Sequence, residues 1–336
     1  MRNLGRNIGI AVVLGVVVYA VLAVYADVEQ LGAELGRYAW WTFAAALGLA
    51  FSNYLVRFAK WELYRRQLAI ALGPWESFGV FLAGFVMSVT PAKLGEVLKS
   101  FLLKERRGVP IATSAPIVLA ERLTDLVALI ALAAVGALSF RLGALVLAAG
   151  ALLVGAIAVV VGVRPVSEWT ATRLGRLPLL RRRPEAVAEL FRSAYRLCRA
   201  PNLPLPVLLS AAGWFCEAVA MWLVVNGFPG VAAEFGTVLF IYSLSTVAGA
   251  LAMMPGGLGV TDGGMAGLLV LLVGSVRPGV ASAATILVRL ATLWFAVLVG
   301  LAALAALRAF PVAPPGSGEG TGAYGQAERS TAIESR

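Results

Sequence analysis

Thr90-Pro91-Ala92-Lys93-Leu94-Gly95-Glu96 interrupts one apolar run, and Met254-Pro255-Gly256-Gly257-Leu258-Gly259 interrupts another. Both contain P-x-x-L-G, 164 positions apart. Proline lacks a backbone N–H and clashes with the preceding turn, and glycine weakens helix interiors, so each stretch predicts a helix break. The flanks also match. A small-residue-rich apolar run precedes each break and a short apolar helix follows it. Next comes Gly-Val (Gly108-Val109, Gly279-Val280) at the mouth of a long helix, which carries Arg-Leu (Arg122-Leu123, Arg289-Leu290) at comparable depth. Four matching features in one order point to an internal duplication.

The rest of the chain supplies the solvent in which those breaks must be read. Of 336 residues, 60% are hydrophobic and 14% charged, with a mean hydropathy of +0.86. Soluble domains carry roughly 25% charged residues. The charges that occur lie mainly in short clusters between apolar runs of membrane-spanning length. The fold class is therefore all-α, a polytopic membrane protein. There is no histidine, which removes a histidine base, a Ser-His-Asp triad and histidine metal ligation. Cys198 and Cys216 have no metal-ligand spacing and suggest no disulfide framework. The net charge of +10 resides in clusters expected on the cytoplasmic side, so it reads as topology rather than nucleic-acid binding.

Arg2 and Arg6 precede a first span, Ile8 to Ala26, read as retained rather than cleaved. Asp27, Glu29, Glu34 and Arg37 then form an external loop before a second span, about Tyr38 to Val56. Arg57, Lys60, Arg65 and Arg66, against Glu62, read as a basic cytoplasmic loop. Trp75 to Thr90 and Val97 to Leu103 flank the first break with basic residues at both ends, predicting a re-entrant helical hairpin. A long helix from about Pro110 to Leu138 carries Glu121, Arg122 and Asp125, and Gly143 to Val163 forms another span. Arg164 to Arg199 holds nine arginines and fits short interfacial helices. Pro206 to Val225 is a span containing Glu217. Phe235 to Met254 and Met265 to Val273 flank the second break, and Val280 to Leu307, with Arg289, is the last span.

The expected architecture is thus about six full transmembrane helices plus two re-entrant or broken-helix hairpins in an inverted-repeat arrangement. A membrane domain covers 1–310, with repeats at about 38–138 and 206–307 and a basic loop at 164–203. A disordered tail covers 311–336. Both termini are placed in the cytoplasm, and the expected location is the cytoplasmic (inner) membrane.

Broken helices of inverted repeats meet near the midplane, where their exposed backbone N–H groups suit a phosphate or carboxylate. Lys93 and Lys99 lie beside the first break, and Arg122 and Arg289 lie in spans. Charged groups in hydrocarbon are costly and should face the bundle interior in pairs. Glu96, Glu121, Asp125, Glu217 and Asp262 are the candidate partners. An Arg–carboxylate network that only glues the bundle is the structural alternative. A polar cavity holding a lipid phosphate, with its tails left in the bilayer, is the functional one. It requires no cofactor or metal, and no Walker loop is present for ATP.

At these residues the chain resembles the flippase-like transmembrane family that includes the membrane portion of lysylphosphatidylglycerol synthases. Thr90 to Lys99 with Ala120-Glu121-Arg122-Leu123-Thr124-Asp125 resembles its first signature. Met254 to Gly263 resembles the second. The resemblance covers roughly Gly9 to Ala306. It implies site positions at Pro91, Gly95, Glu96, Glu121, Arg122 and Asp125, and at Pro255, Gly256, Gly257, Gly259 and Asp262. Relatives commonly carry Arg-Glu where this chain has Thr261-Asp262. The resemblance further implies a protein that flips or handles an anionic or aminoacylated phospholipid or a polyprenyl-phosphate lipid. The soluble aminoacyl-transfer domain of the synthases is absent from this sequence, so a transporter rather than an enzyme is expected. The alternatives are an enzyme or subunit acting on polyprenyl-phosphate lipids through Glu121 or Asp262, or a structural partner in envelope assembly. Expected partners are the lipids themselves, a second copy of the chain, or a separate synthase or glycosyltransferase.

Overall fold

The computed structural model describes residues 28–89, 94–139, 148–150 and 202–309, with isolated positions at 152, 155, 169, 197 and 199. The first span, Pro91 and Lys93, nearly all of the 143–163 span and the basic loop, and the 311–336 tail lie outside the described residues. Everything regular among the described residues is helical. Helix α1 (Val28–Gly36) occupies what the acidic residues suggest is a loop. Helix α2 (Trp40–Gln67) is followed by the first hairpin. Its entering helix α3 (Pro74–Ala83) tightens into a 3₁₀ segment at Gly84–Met87. A second 3₁₀ turn, Leu94–Val97, leads into the returning helix α4 (Leu98–Arg107). Helix α5 (Ile111–Ala137) closes the first repeat. The second repeat comprises α6 (Pro204–Asn226), the hairpin helices α7 (Phe235–Leu251) and α8 (Val260–Leu272), and α9 (Pro278–Arg289). After α9, a π-helical turn at Leu290–Trp294 runs directly into α10 (Phe295–Ala309). Proline in the first turn of α3, α6 and α9 sits where its missing N–H costs nothing.

Helices α2, α6 and the continuous stretch Pro278–Ala309 are long and apolar enough to cross a bilayer. With 27 residues, α5 is equally long, but it carries three charges in its middle. The chain is an all-α, polytopic membrane protein.

Among the described residues the largest helix interface joins α2 to α6, equivalent elements of the two repeats. They run antiparallel. The backbone N–H of Ala39, at the start of α2, bonds the carbonyl of Gly227 at the end of α6. Asn53 meets Glu217 midway, and Lys60 reaches Ser210 near the other end. Asn53 and Glu217 are 164 positions apart, the same offset as the two P-x-x-L-G motifs, so the pseudo-twofold axis passes between them. The remaining packing obeys the same exchange. The entering hairpin helix of each repeat packs on the long helix of the other, α7 on α5 and α3 on α10. Glycines permit both crossings. A Cβ at Gly136 would lie 2.6 Å from the Phe240 nitrogen, and one at Gly300 would lie 2.6 Å from the Val86 nitrogen. Small residues of this kind let membrane helices approach closely.

Both hairpins return to the end at which they enter. Glu76 at the start of α3 binds Arg106 and Arg107 at the end of α4. In the second hairpin the Ala232 N–H donates to Ser275 Oγ across its mouth. Because α2 and α6 are antiparallel, the hairpins enter from opposite ends of the bundle. Their tips touch: Val89, Leu258, Leu293 and Val297 form one apolar cluster. A Cβ on Gly256 would meet the Val89 Cα at 3.4 Å.

One expected boundary is corrected. The second span does not end at Val56, because α2 continues to Gln67. Arg57, Lys60 and Arg65 are buried on it rather than lying in a basic loop, whereas Arg66 is exposed. Asn53, Arg57, Lys60 and Tyr64 recur at helical spacing and form one polar stripe facing inward.

Candidate functional site

Where the hairpin tips meet the long helices, a cavity of about 290 Å³ opens. Its charged lining is Arg57 from α2, Arg122 and Asp125 from α5, Glu217 from α6 and Arg289 from α9. Tyr54, Trp214 and Tyr242 supply aromatic faces, and Ser88, Thr246, Thr261 and Thr292 supply hydroxyls. Gly256 and Gly257 bring backbone to its wall, at φ of 61° and 70°. Those left-handed values explain why glycine occupies the break. The cavity rim at Ala250, Leu251 and Met254 is exposed and apolar.

Two Arg–carboxylate pairs occupy equivalent places in the repeats. In the first, Arg122 Nη2 lies 3.1 Å from Glu96 Oε2 and 3.2 Å from Asp125 Oδ2. In the second, Arg289 Nε lies 2.8 Å from Asp262 Oδ1, and Arg289 also donates to the Gly256 carbonyl. Each pair fastens the start of the returning hairpin arm, the 3₁₀ turn at Glu96 or the first turn of α8 at Asp262, to the long helix that follows it. The sequence duplication is therefore a duplication of this clamp.

Behind Arg122 the first repeat adds a denser network. Lys99 Nζ is 2.6 Å from Glu121 Oε2 and 3.6 Å from Glu96, with its ammonium 4.9 Å from the Trp61 ring centre. Gly84 leaves room for the Lys99 stem, since a Cβ there would lie 2.7 Å from its Cγ. Lys60 Nζ lies 2.6 Å from Asp125 Oδ1 and 2.7 Å from Ser210 Oγ. Arg57 is held more loosely. Its Nη2 is 3.7 Å from Glu96 Oε1 and its guanidinium carbon is 5.3 Å from the Phe85 ring centre. Neither its Nε nor its Nη2 has a hydrogen-bond acceptor among the described residues.

Glu217 differs from the other buried carboxylates. It accepts short hydrogen bonds from Asn53 Nδ2 and the Tyr242 hydroxyl, but no cation lies within ion-pair distance among the described residues.

Of the residues singled out by sequence, Arg122, Asp125, Glu217, Gly256, Gly257 and Arg289 line the cavity. Glu96 and Asp262 do not line it but hold Arg122 and Arg289, which do, and Lys99 and Glu121 pair with each other next to Glu96. Gly95 falls in the 3₁₀ turn before α4. Pro255 and Gly259 shape the second break without lining the cavity. Pro91 and Lys93 lie outside the described residues.

The second break also corrects an expectation. The N-terminus of α8 is not an open anion seat, because Asp262 Oδ2 accepts the Gly259 N–H at 2.8 Å. The chain supplies its own carboxylate there. Sequence reasoning missed Arg57, Lys60, Asn53 and Tyr242. The first three share a helical spacing, but a basic cluster after an apolar run reads the same whether the span ends or continues; Tyr242 carries no distinguishing signal.

A family model described as the lysylphosphatidylglycerol synthase TM region matches residues 12–300. A UPF0104 membrane protein of Methanocaldococcus jannaschii is 27% identical over 181 residues, covering 53% of this chain and 76% of that protein. A UPF0104 membrane protein of Methanothermobacter thermautotrophicus is 28% identical over 127 residues, 37% of either chain. A further match named as a UPF0104 membrane protein of that organism is 30% identical over 99 residues, 30% of this chain and 29% of the relative. The match thus spans about a third of the length of these last two relatives. With the matched region covering both hairpins and the cavity between them, the chain belongs to the family of the lysylphosphatidylglycerol synthase transmembrane region.

Proposed function

We propose that the protein translocates a phosphate-bearing lipid headgroup between leaflets of the cytoplasmic membrane through this cavity. The observation that carries the reading is the meeting of two oppositely entering helix breaks at one charged cavity with an exposed apolar rim. Three arginines face the cavity, and guanidinium suits a phosphate oxygen pair. The volume sits at the low end of the roughly 300–1,000 Å³ of small-ligand pockets. It accommodates a headgroup, and the acyl or polyprenyl chains remain in the bilayer beyond Ala250, Leu251 and Met254. Both carboxylates that could serve an enzyme acting on polyprenyl-phosphate lipids are engaged: Glu121 by Lys99, and Asp262 by Arg289 and the α8 cap. That favours transport over catalysis.

The test is headgroup-resolved leaflet exchange in proteoliposomes. Wild type should accelerate exchange of a phospholipid or a polyprenyl phosphate over protein-free vesicles. Arg122→Gln and Arg289→Gln should slow it about tenfold or more, from the loss of charge-assisted hydrogen bonds worth roughly 1.5–3 kcal/mol. Folded wild type that exchanges no phosphate-bearing lipid refutes the reading.

A further inference from the structure

The cavity and its supporting network hold five cations and five carboxylates among the described residues. Arg57, Lys60, Lys99, Arg122 and Arg289 face Glu96, Glu121, Asp125, Glu217 and Asp262. Among the described residues the charges balance. An ordinary phosphodiester anion entering alone would leave net negative charge in a place where unpaired charge is costly.

Two members of this set stand apart from the close ion pairs that the others make among the described residues, and they have opposite sign. Among the described residues Arg57, 6% exposed, has an ion pair only at 3.7 Å, and its Nε and Nη2 lack hydrogen-bond acceptors. Glu217, also 6% exposed, is the carboxylate with no cation partner among the described residues. Lys60, Lys99 and Arg289 each have a carboxylate within 2.8 Å, and Arg122 has two within 3.2 Å. Arg57 and Glu217 line one cavity without forming an ion pair with each other. Around Glu217 the lining is aromatic, with Trp214 and Tyr242 in contact at 6.4 Å between centroids and Tyr54 nearby. A carboxylate among aromatic faces is a setting that attracts an ammonium group.

Resting on the reading of the cavity as a headgroup site, we propose that it is built for a zwitterionic headgroup of the phosphoethanolamine type. Its phosphodiester binds Arg57 and its ammonium binds Glu217 among Tyr54, Trp214 and Tyr242. The ligand then brings one negative and one positive charge, and the balance among the described residues is kept when it is bound. Arg57 acquires a close anion, and Glu217, already hydrogen-bonded by Asn53 and Tyr242, acquires a cation.

The experiment titrates purified protein in detergent with short-chain phosphatidylethanolamine and phosphatidylglycerol, which share a phosphodiester and differ in the amine. Wild type should bind phosphatidylethanolamine about tenfold tighter or more, the worth of one charged hydrogen bond. Glu217→Gln should abolish that preference, Glu217→Asp should retain most of it, and Arg57→Gln should weaken both lipids alike. Equal wild-type affinity for the two lipids overturns the proposal. So does a preference that survives Glu217→Gln. Phosphatidylglycerol binding that tightens at low pH through Glu217, without preference for the amine, also overturns it and makes Glu217 a proton site. Leaflet exchange without headgroup preference would sink the ammonium subsite alone. Binding preference without exchange would sink translocation alone.

Discussion

At the scale of single residues, the most informative contrast is between Lys60 and Arg57, one turn apart on α2. Lys60 is fully buried and bound at close range to Asp125 and Ser210, whereas Arg57 faces the cavity with unfilled donors. Burying an ion pair has an uncertain net worth, but removing one partner strands the other at about 3–5 kcal/mol. Lys60→Met should therefore destabilise the protein by about that amount. The double variant Lys60→Met/Asp125→Leu should recover much of the loss. Thermal unfolding in detergent checks both. Arg57→Gln leaves Glu96 with Lys99 and Arg122, so it should cost far less stability while impairing headgroup binding. Stability and function thus separate on a single helix face.

At the scale of elements, each hairpin is held by a clamp and a close crossing. The clamp is Glu96–Arg122 in one repeat and Asp262–Arg289 in the other. The crossings are α5 over α7 at Gly136 and α10 over α3 at Gly300. Glycine to alanine inside an exposed helix normally stabilises by about 1 kcal/mol. Here the added methyl would press on backbone atoms that cannot rotate away. Gly136→Ala should instead destabilise by about 1–3 kcal/mol, as overpacking does. An increased unfolding temperature for Gly136→Ala would show that α5 and α7 do not cross this closely. The π-helical turn at Leu290–Trp294 follows Arg289 directly, and Thr292 and Leu293 from it line the cavity. π-turns of this kind are found disproportionately at functional sites.

At the scale of the whole molecule, the antiparallel pairing of α2 with α6 decides that the repeats are inverted. It predicts that the two hairpins enter from opposite faces of the membrane. Single cysteines at Gly73 and Glu234, the exposed N-caps of α3 and α7, should label with an impermeant thiol reagent from opposite sides. The background would carry Cys198→Ser and Cys216→Ser. Labelling of both positions from one side would reject the inverted arrangement.

Much of this architecture was legible in the sequence. The apolar runs gave the helices, and P-x-x-L-G with its four ordered companions gave both breaks and the duplication. Arg122 and Arg289 were recognisable because a charge inside a span demands a partner. Lys60 and Arg57 were not, because a basic cluster after an apolar run has the same local composition whether it ends a span or continues into a buried helix face. Only the packing of α2 against α5 and α6 distinguishes the two.

The sequence by itself determined an all-helical membrane protein with two matched helix breaks, since hydropathy and backbone chemistry are local properties. The tertiary structure alone decided which charges face the cavity, which carboxylate caps α8, and which arginine and which carboxylate lack a close ion pair among the described residues. Those outcomes depend on contacts between residues as far apart as Asn53 and Glu217, and no local pattern encodes them.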